Sequence, residues 1–272
     1  MKRLIIFLIV ITLLLQGCSD TEPISNKIKE VTPPTPSNSL YLPEPQTSWQ
    51  WQLSGDINTE YDVEMYDIDV NTPQNIINEL HERDIKVICY FSAGTYEDFR
   101  DDANKFPKVV LGNALEDWPD EKWIDISNYN LFSDIMEARM DLAVKKKCDG
   151  IEPDNIDGYE NNNGFNLNYN DQLEYNRWLS KEAHERGLSI GLKNDVDQIN
   201  DLVDYFDFAI NEQCFEYDEC HLLEPFIEQN KAVFGVEYEL TINQFCKKAN
   251  AMRFSWLQMN YELDGEQVSC DE

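Results

Sequence analysis

The segment Cys148–Tyr159, with the sequence CDGIEPDNIDGY, decides the fold of this chain. It begins as a short β-strand whose side chains alternate, so that Gly150, Glu152 and Asp154 share one face. Acidic residues are depleted from strands and are seldom buried without a partner. Two acids on the inner face at the carboxyl end of a strand are typical of a parallel barrel, because active sites of such barrels lie there. The alternative is a solvated loop that happens to be acidic.

Strand and helix patterns alternate on both sides of this segment. The sequence predicts strands at 49–53, 62–69, 86–91, 188–193, 207–211, 231–237 and 253–259, with helices at 73–83, 131–147, 171–186, 197–206, 222–230 and 241–250. With the segment that starts at 148, eight strands alternate with helices, which predicts the α/β class and a single (β/α)8 TIM barrel over residues 47–272. A doubly wound open sheet is the structural alternative, but the sequence has no G-x-G-x-x-G phosphate turn.

The N-terminus carries an export pattern. Two basic residues precede an apolar run at residues 4–15, which is shorter than a membrane-spanning helix requires. The run ends in LQGC, which resembles a bacterial lipobox, so residues 1–17 are predicted to be a lipoprotein signal peptide and Cys18 to be lipidated. Residues 18–46 are rich in Pro, Ser and Thr and are predicted to form a tether. We therefore expect an exported bacterial lipoprotein, at the cell surface or outer membrane, that contacts the membrane through its lipid anchor only.

The charge balance limits the possible partners. The chain has 52 acidic residues against 22 basic ones, for a formal net charge of −30. Nucleic acid is excluded as a partner, because phosphate binding requires Lys and Arg. The charge suits a cationic ligand, or equally a solvated acidic surface. We expect a monomer without a cofactor.

The cysteines indicate an oxidising compartment. Six remain after Cys18, and four of these cluster in the last third of the chain, where we expect the bridges Cys214–Cys220 and Cys246–Cys270. Cys89 and Cys148 are either buried thiols or a third bridge. No Cys/His spacing resembles a zinc site, and neither a catalytic cysteine nor a metal centre is expected.

Polar residues at the strand ends should converge on the barrel mouth. Two carboxylates from different strands are the minimum for glycoside hydrolysis, in which one attacks the anomeric carbon and the other protonates the leaving oxygen. We predict Asp154 as the nucleophile and Glu212 as the acid/base, because the longer Glu side chain reaches the leaving oxygen more easily. The residues predicted to bind substrate are Asp67, Asp69, Tyr90, Glu152, Asn155, Lys193, Asn194, Glu237 and Tyr238.

The alternation of side chains along the strand conflicts with an inward direction of Glu212. Phe208 and Ile210 share its parity along the strand, so an outward apolar face would also turn Glu212 outward. Either the strand ends at Asn211, or a β-bulge re-aims Glu212 into the mouth.

Lys193 should face inward and pair with Glu152 or Asp154, either to keep that acid ionised or as a structural ion pair. Aromatic residues on the strands are candidates for sugar stacking, although rings at such positions more often belong to the core. These candidates are Trp51, Tyr66, Tyr90, Tyr159 and Tyr238.

The strand ends resemble a known family from about Trp49 to Met259. The segments WQWQLSG, EMYDID, VICYFSAGTYEDFR, CDGIEPDNIDGY, LSIGLKN, INEQCFEYDEC and VFGVEY occur in the order typical of glycoside hydrolase family 114, the TIM-barrel endo-α-1,4-polygalactosaminidases. The resemblance implies that Asp154 and Glu212 are the catalytic pair. It also implies a polymer of α-1,4-linked galactosamine or N-acetylgalactosamine as the substrate, such as microbial galactosaminogalactan.

Three functions remain distinct at this point. The leading hypothesis is a surface-anchored, retaining, endo-acting glycosidase. The second is a non-catalytic carbohydrate-binding lipoprotein on the same barrel. The third is a metal-dependent hydrolase that would use Asp67, Asp69, Glu152 and Asp154 as oxygen ligands.

Overall fold

The computed structural model describes residue 33 and residues 40–270. The predicted signal peptide, Cys18 and most of the predicted tether therefore lie outside the described residues. Among the described helices, none combines the length and the apolarity that a membrane crossing requires.

The described residues form twelve strands and six α-helices. The strands are β1 Trp49–Gln52, β2 Met65–Asp69, β3 Lys86–Ser92, β4 Thr95–Glu97, β5 Leu111–Ala114, β6 Glu121–Ile124, β7 Gly150–Asp154, β8 Ser189–Lys193, β9 Phe208–Glu212, β10 Val233–Glu237, β11 Ser255–Met259 and β12 Gln267–Ser269. The helices are α1 Gln74–Glu82, α2 Ser133–Lys146, α3 Tyr169–Glu185, α4 Ile199–Leu202, α5 Glu224–Glu228 and α6 Ile242–Ala251.

Eight parallel strands form the barrel that the sequence predicts. They are neighbours in the order β1-β2-β3-β7-β8-β9-β10-β11, and β12 adds an antiparallel edge next to β11. Between β1 and β11 the Trp49 indole Nε1 donates a hydrogen bond to the Ser255 carbonyl over 3.1 Å. One apolar cluster fills the barrel interior and a larger one packs the sheet against the helices. The TIM-barrel fold is confirmed.

Capping signals in the sequence account for the helix ends. Asn168 and Asp171 form a capping box at the start of α3, and Thr241 and Gln244 form another at α6. Gly187 follows α3 in the left-handed region, at φ 76°, as predicted for a helix-ending glycine. The helices predicted at 197–206 and 222–230 are shorter, because each begins as a 3₁₀ turn. The chain from β1 to β2 has no helix in the described structure.

An antiparallel three-stranded sheet, in the order β4-β6-β5, interrupts the chain between β3 and α2. We call residues 93–132, which contain this sheet, the insert; its sheet is not predicted by the sequence. Arg100 holds it to the barrel through Glu97 and Asp69, and Arg139 of α2 pairs with Glu97 and Asp102. These ion pairs are largely buried and mutually hydrogen-bonded, so they fix the insert above the barrel.

Three disulfide bridges are present. Cys214–Cys220 and Cys246–Cys270 confirm the predicted pairings, with Cα atoms 4.7 and 5.1 Å apart. Cys89 on β3 and Cys148 before β7 form the third bridge, across 6.0 Å. Of the two alternatives for these residues, the bridge is therefore correct.

Residues 40–46, which were assigned to the tether, lie against the barrel. The Pro43 carbonyl accepts a hydrogen bond from the Ala232 amide over 3.1 Å, at the start of β10. The Lys86 ammonium lies 5.7 Å from the centre of the Tyr41 ring. The structured domain therefore begins before residue 47.

Candidate active site

A cleft of about 1000 Å³ opens at the carboxyl ends of the parallel strands. Its walls contain eight of the eleven residues predicted for catalysis or substrate binding. These eight are Asp69, Tyr90, Asp154, Asn155, Lys193, Asn194, Glu212 and Tyr238. The parallel barrel brings them together although they are far apart in the sequence.

Three neighbouring strands end in the same way. Asn155, Asn194 and Gln213 directly follow the last residues of β7, β8 and β9, and their φ angles are 60°, 48° and 64°. This left-handed conformation turns the chain sharply away from each strand, and Asn adopts it more readily than most residues. The side chains at the strand tips, Asp154, Lys193 and Glu212, are thereby left at the mouth.

Lys193 lies at the centre of the site. Its Nζ is 3.0 Å from Asp154, 3.1 Å from Glu152 and 3.3 Å from Glu212. The side chain is 2% exposed. Burial acts to lower the pKa of Lys193, but the surrounding carboxylates raise it well above its ordinary value. Lys193 is therefore held as a cation, and it pairs with both acids that the sequence offered as partners.

Asp154 receives donors on both carboxylate oxygens. The Tyr90 hydroxyl donates to Oδ2 over 2.9 Å, while Lys193 Nζ and the Asn155 amide donate to Oδ1 over 3.0 and 2.7 Å. The side chain remains 17% exposed to the cleft. The carboxylate is thus fixed in direction and still accessible to a substrate.

Glu212 has a different set of contacts. Asn194 Nδ2 donates to its Oε2 over 3.2 Å, and the Tyr238 hydroxyl donates to Oε1. The Glu212 amide donates to Asn194 Oδ1 over 3.0 Å, which ties its backbone to the tip of β8. At 28% exposure the side chain is more open than that of Asp154.

Glu212 faces inward without a bulge. β9 extends through Glu212, in regular parallel register with β10. Phe208 and Ile210, which share its parity, belong to the apolar cluster inside the barrel. The expectation that the apolar face of this strand points outward is therefore wrong: the deeper interior is apolar and only the last residue reaches the mouth.

Asp67 and Glu152 lie below the mouth and do not line the cleft. Both are fully buried, so the prediction that they contact substrate is corrected. Glu152 accepts a hydrogen bond from Trp51 Nε1 over 3.1 Å. Burial and the Glu152 carboxyl raise the pKa of Asp67 well above its ordinary value. Burial likewise raises the pKa of Glu152, to about 7, against the opposing effect of Lys193.

Glu237 also lies outside the cleft, since it is fully buried and accepts the Phe215 amide over 2.9 Å. Burial raises the pKa of Glu237 to about 7. The cleft walls include Trp51, Tyr90 and Tyr238 of the five stacking candidates, but neither Tyr66 nor Tyr159. Strand parity predicts the face on which a side chain lies. A side chain reaches the cleft only if it also lies near the end of its strand.

The loops supply cleft residues that the sequence did not single out for the site. Acids among them include Glu121, Asp157 and Asp195. Burial and the charge of Asp157 raise the pKa of Asp195 to about 9. Exposed rings are the other group, namely Phe99, Trp118, Tyr217 and Tyr261. Apart from Glu121, which begins β6 of the insert, these residues lie in irregular segments, where no periodicity marks which side chains face the mouth.

The acids of the site are arranged around an ammonium group. Within residue 33 and residues 40–270, no group of three or more His, Cys, Asp or Glu side chains is placed to hold a metal ion. Lys193 instead occupies the position between Glu152, Asp154 and Glu212, where it neutralises part of their charge.

A parallel barrel that presents two carboxylates from different strands at its mouth is the arrangement of many glycosidases. The model of glycoside-hydrolase family GH114 matches residues 30–272. The chain therefore belongs to family GH114 and is a glycosidase.

Solved structures agree with this assignment. The chain is 39% identical to Ega3 of Aspergillus fumigatus, solved in complex with galactosamine; the match covers 85% of this chain and 97% of that one, with a TM-score of 0.80. The glycoside hydrolase domain of PelA from Pseudomonas aeruginosa shares the fold at 11% identity, with a TM-score of 0.65 and coverage of 82% and 98%. A search among curated proteins found no match.

Proposed function

We propose that this chain is an endo-acting, retaining glycosidase that cleaves polymers of α-1,4-linked galactosamine or N-acetylgalactosamine. Asp154 is the nucleophile and Glu212 the acid/base, and together we call them the catalytic pair. One observation carries the proposal: both side chains reach the same cleft from strands β7 and β9, and both contact Lys193.

The separation of the two carboxylates supports retention of configuration. Asp154 Oδ1 and Glu212 Oε2 lie 3.0 and 3.3 Å from the same Nζ, so these oxygens are at most about 6.3 Å apart. Retaining enzymes place their carboxyl groups about 5–5.5 Å apart, whereas inverting enzymes need about 6.5–9.5 Å to admit a water molecule. The bound refers to one oxygen of each carboxyl group, and it is compatible with the retaining spacing.

The contacts suit the two roles. Asp154 attacks the anomeric carbon while protonated Glu212 gives its proton to the leaving glycosidic oxygen, and a glycosyl–Asp154 ester forms. Glu212 then takes a proton from water, which attacks the ester, releases the sugar with its original configuration and frees Asp154. The donors on both Asp154 oxygens hold the carboxylate for attack. The hydrogen bonds that Asn194 and Tyr238 donate to Glu212 fix the direction of its carboxyl group, as the acid/base role requires.

The substrate class rests on likeness and charge. The similar protein Ega3 was solved with galactosamine. Polymer with free amines is cationic, and a chain with a net charge of −30 attracts it. The cleft walls contain further acids, among them Asp117 and Glu262.

We also propose that the enzyme acts as an exported, monomeric lipoprotein. The basic and apolar N-terminus with its LQGC ending supports lipidation at Cys18 and anchoring through acyl chains. The three disulfide bridges are consistent with an oxidising compartment. Mass spectrometry of the protein from membranes, beside a Cys18→Ser variant, tests the lipid.

A reducing-end assay tests the function. Residues 19–272 are incubated with purified galactosaminogalactan before and after chemical deacetylation, with Asp154→Asn and Glu212→Gln beside the wild type. New reducing ends from either form, lost in both variants, support the proposal. Polymer binding without release would support the carbohydrate-binding alternative instead.

A further inference from the structure

The exposed aromatic side chains are confined to one place on the domain. The described residues expose nine large hydrophobic side chains, of which four are aromatic and five aliphatic. All four aromatic rings line the cleft, whereas none of the five aliphatic side chains does. We call Phe99, Trp118, Tyr217 and Tyr261 the rim rings. Because exposed rings leave apolar area in water, their confinement to the cleft indicates a ligand that covers them.

The rim rings lie on both sides of the catalytic pair. Phe99 and Trp118 belong to the insert, which follows β3, and β3 is the neighbour of β7. Tyr217 follows β9, and Tyr261 follows β11. The strand order β3-β7-β8-β9-β10-β11 therefore places the insert next to Asp154 and the two tyrosines beyond β8.

The ring at the second side is connected to the acid/base. Tyr261 stacks on Tyr238 with ring centres 4.3 Å apart, and the Tyr238 hydroxyl donates to Glu212. A sugar stacked on Tyr261 would therefore lie within two side chains of the leaving-group acid.

The insert is fastened to the strand that carries the nucleophile. Thr95 Oγ1 donates to Glu121 of the insert over 2.7 Å and lies 3.3 Å from the Asn155 side-chain oxygen. Gly94 passes so close to Asn155 that an added Cβ would meet the Asn155 carbonyl oxygen at 1.6 Å. Only glycine fits this approach, so the start of the insert lies directly against the residue that follows Asp154.

Acids accompany the rings of the insert. Asp117 directly precedes Trp118 and Glu121 follows it three residues later, and both line the cleft. An amino sugar presents an apolar ring face, which stacks on an aromatic side chain, and an ammonium group, which an acid or a ring face attracts. Rings beside carboxylates are thus complementary to a cationic sugar polymer.

We propose that the rim rings bind one galactosaminan chain that runs across the catalytic pair, with Phe99 and Trp118 holding sugar units on one side and Tyr217 and Tyr261 on the other. The proposal rests on the proposed function and adds the residues that let the site bind several consecutive sugar units. Trp118 has the largest aromatic side chain of the four, so its removal should affect binding most.

Calorimetry with the Asp154→Asn variant tests whether the rim rings bind the polymer, because this variant does not cleave it. The probe is a long, soluble, deacetylated α-1,4-galactosaminan. Trp118→Ala should weaken binding by about 10-fold, in line with the free energy of one stacked ring, and Trp118→Phe should restore most of it. Val109→Ala is the matched control, because Val109 belongs to the same insert and is 72% exposed but lies outside the cleft.

Kinetics in the active enzyme separate stacking from structural damage. Trp118→Ala should raise KM for the long polymer by about 10-fold, leave kcat within about 2-fold, and change the cleavage of the shortest accepted oligosaccharides little. Equal affinity of Trp118→Ala and Val109→Ala for the polymer would overturn the binding role of the rim rings and leave the proposed function standing. If the wild type released no reducing ends and Asp154→Asn bound no galactosaminan, the proposed function itself would fail.

Discussion

Two layers of side chains inside the barrel both contain an Asp and a Glu, but the layers differ in exposure. The deeper one, which we call the interior layer, consists of Trp51, Asp67 and Glu152, and all three are almost completely buried. The mouth layer consists of Tyr90, Asp154, Glu212 and Tyr238, with both carboxylates partly exposed to the cleft. Lys193 contacts acids of both layers.

Depth along a strand, rather than residue type, separates a supporting acid from a reactive one. Glu152 and Asp154 are two residues apart on β7 and share one face. Glu152 is bound by the Trp51 indole and has no access to the cleft, whereas Asp154 is held by donors and open on one side. The interior layer thus fixes Lys193, and Lys193 in turn positions the catalytic pair.

Exchanging one acid in each layer should give the largest contrast. Asp154→Asn removes the nucleophile, and activity on galactosaminan should fall by on the order of 10⁴-fold. Asp67→Asn replaces a fully buried acid, which lies outside the cleft, by a neutral side chain of the same shape, so activity should stay within a few-fold. Reducing-end assays with both variants make the comparison, and circular dichroism checks that each is folded. A comparable loss in both would remove the distinction between the layers.

Removing the shared cation should have the next largest effect. Lys193→Met leaves the buried Glu152 without its ion-pair partner, which should lower the free energy of unfolding by about 3–5 kcal/mol. Urea denaturation measures this. Lys181→Met is the control, because Lys181 pairs with Glu182 and Glu185 on the exposed face of α3, where such pairs contribute about 0–1 kcal/mol. Similar losses in both variants would contradict a linking role for Lys193.

Tyr238→Phe tests the hydrogen bond between Tyr238 and Glu212 in the mouth layer. The variant keeps the ring stacked on Tyr261 but loses the hydroxyl that donates to Glu212. Hydrogen bonds to charged groups contribute about 1.5–3 kcal/mol, so kcat should fall by about 10-fold or more with little change in KM. Tyr61→Phe, which loses a hydroxyl bonded to the Gly265 carbonyl, should leave kcat unchanged. An unchanged kcat in Tyr238→Phe would separate Tyr238 from the acid/base.

The pH dependence of stability tests the interior layer by itself. Burial raises the pKa of Asp67 well above its ordinary value and that of Glu152 to about 7, so the folded state keeps protons that the unfolded state releases near pH 4. Their contribution is complete below pH 4 and is lost as the pH rises through the folded pKa values. The free energy of unfolding should therefore be lower at pH 8 than at pH 5.

Asp67→Asn provides the control for this effect, because it removes one of the two titrations. The decrease from pH 5 to pH 8, measured by urea denaturation, should become smaller in the variant. An equal decrease in both proteins would mean that other groups carry the pH dependence.

The sequence predicts the barrel and the centre of the site well, because both depend on short-range patterns. The parity of β7 indicates the inward direction of Glu152 and Asp154, and the capping residues and Gly187 indicate helix ends. Parity does not give depth, so Asp67 and Glu237 were expected at the mouth although they lie inside the protein.

The rest of the cleft depends on tertiary structure that no local pattern encodes. Phe208 and Ile210 would suggest an outward Glu212, until the barrel is seen to have an apolar lower interior. Trp118 reaches the cleft because buried ion pairs of Arg100 and Arg139 hold the insert in place. Such contacts join residues that are distant in the sequence and have no periodic signature.

Azide rescue distinguishes the role of Asp154 as nucleophile from that of Glu212 as acid/base. Asp154→Ala and Glu212→Ala are each supplied with azide and an aryl α-glycoside of a galactosamine oligosaccharide, and NMR identifies the anomer of the glycosyl azide formed. We expect the β-azide from Asp154→Ala, by direct attack, and the α-azide from Glu212→Ala, by attack on the glycosyl–Asp154 ester. The same anomer from both variants, or rescue of neither, would contradict this assignment.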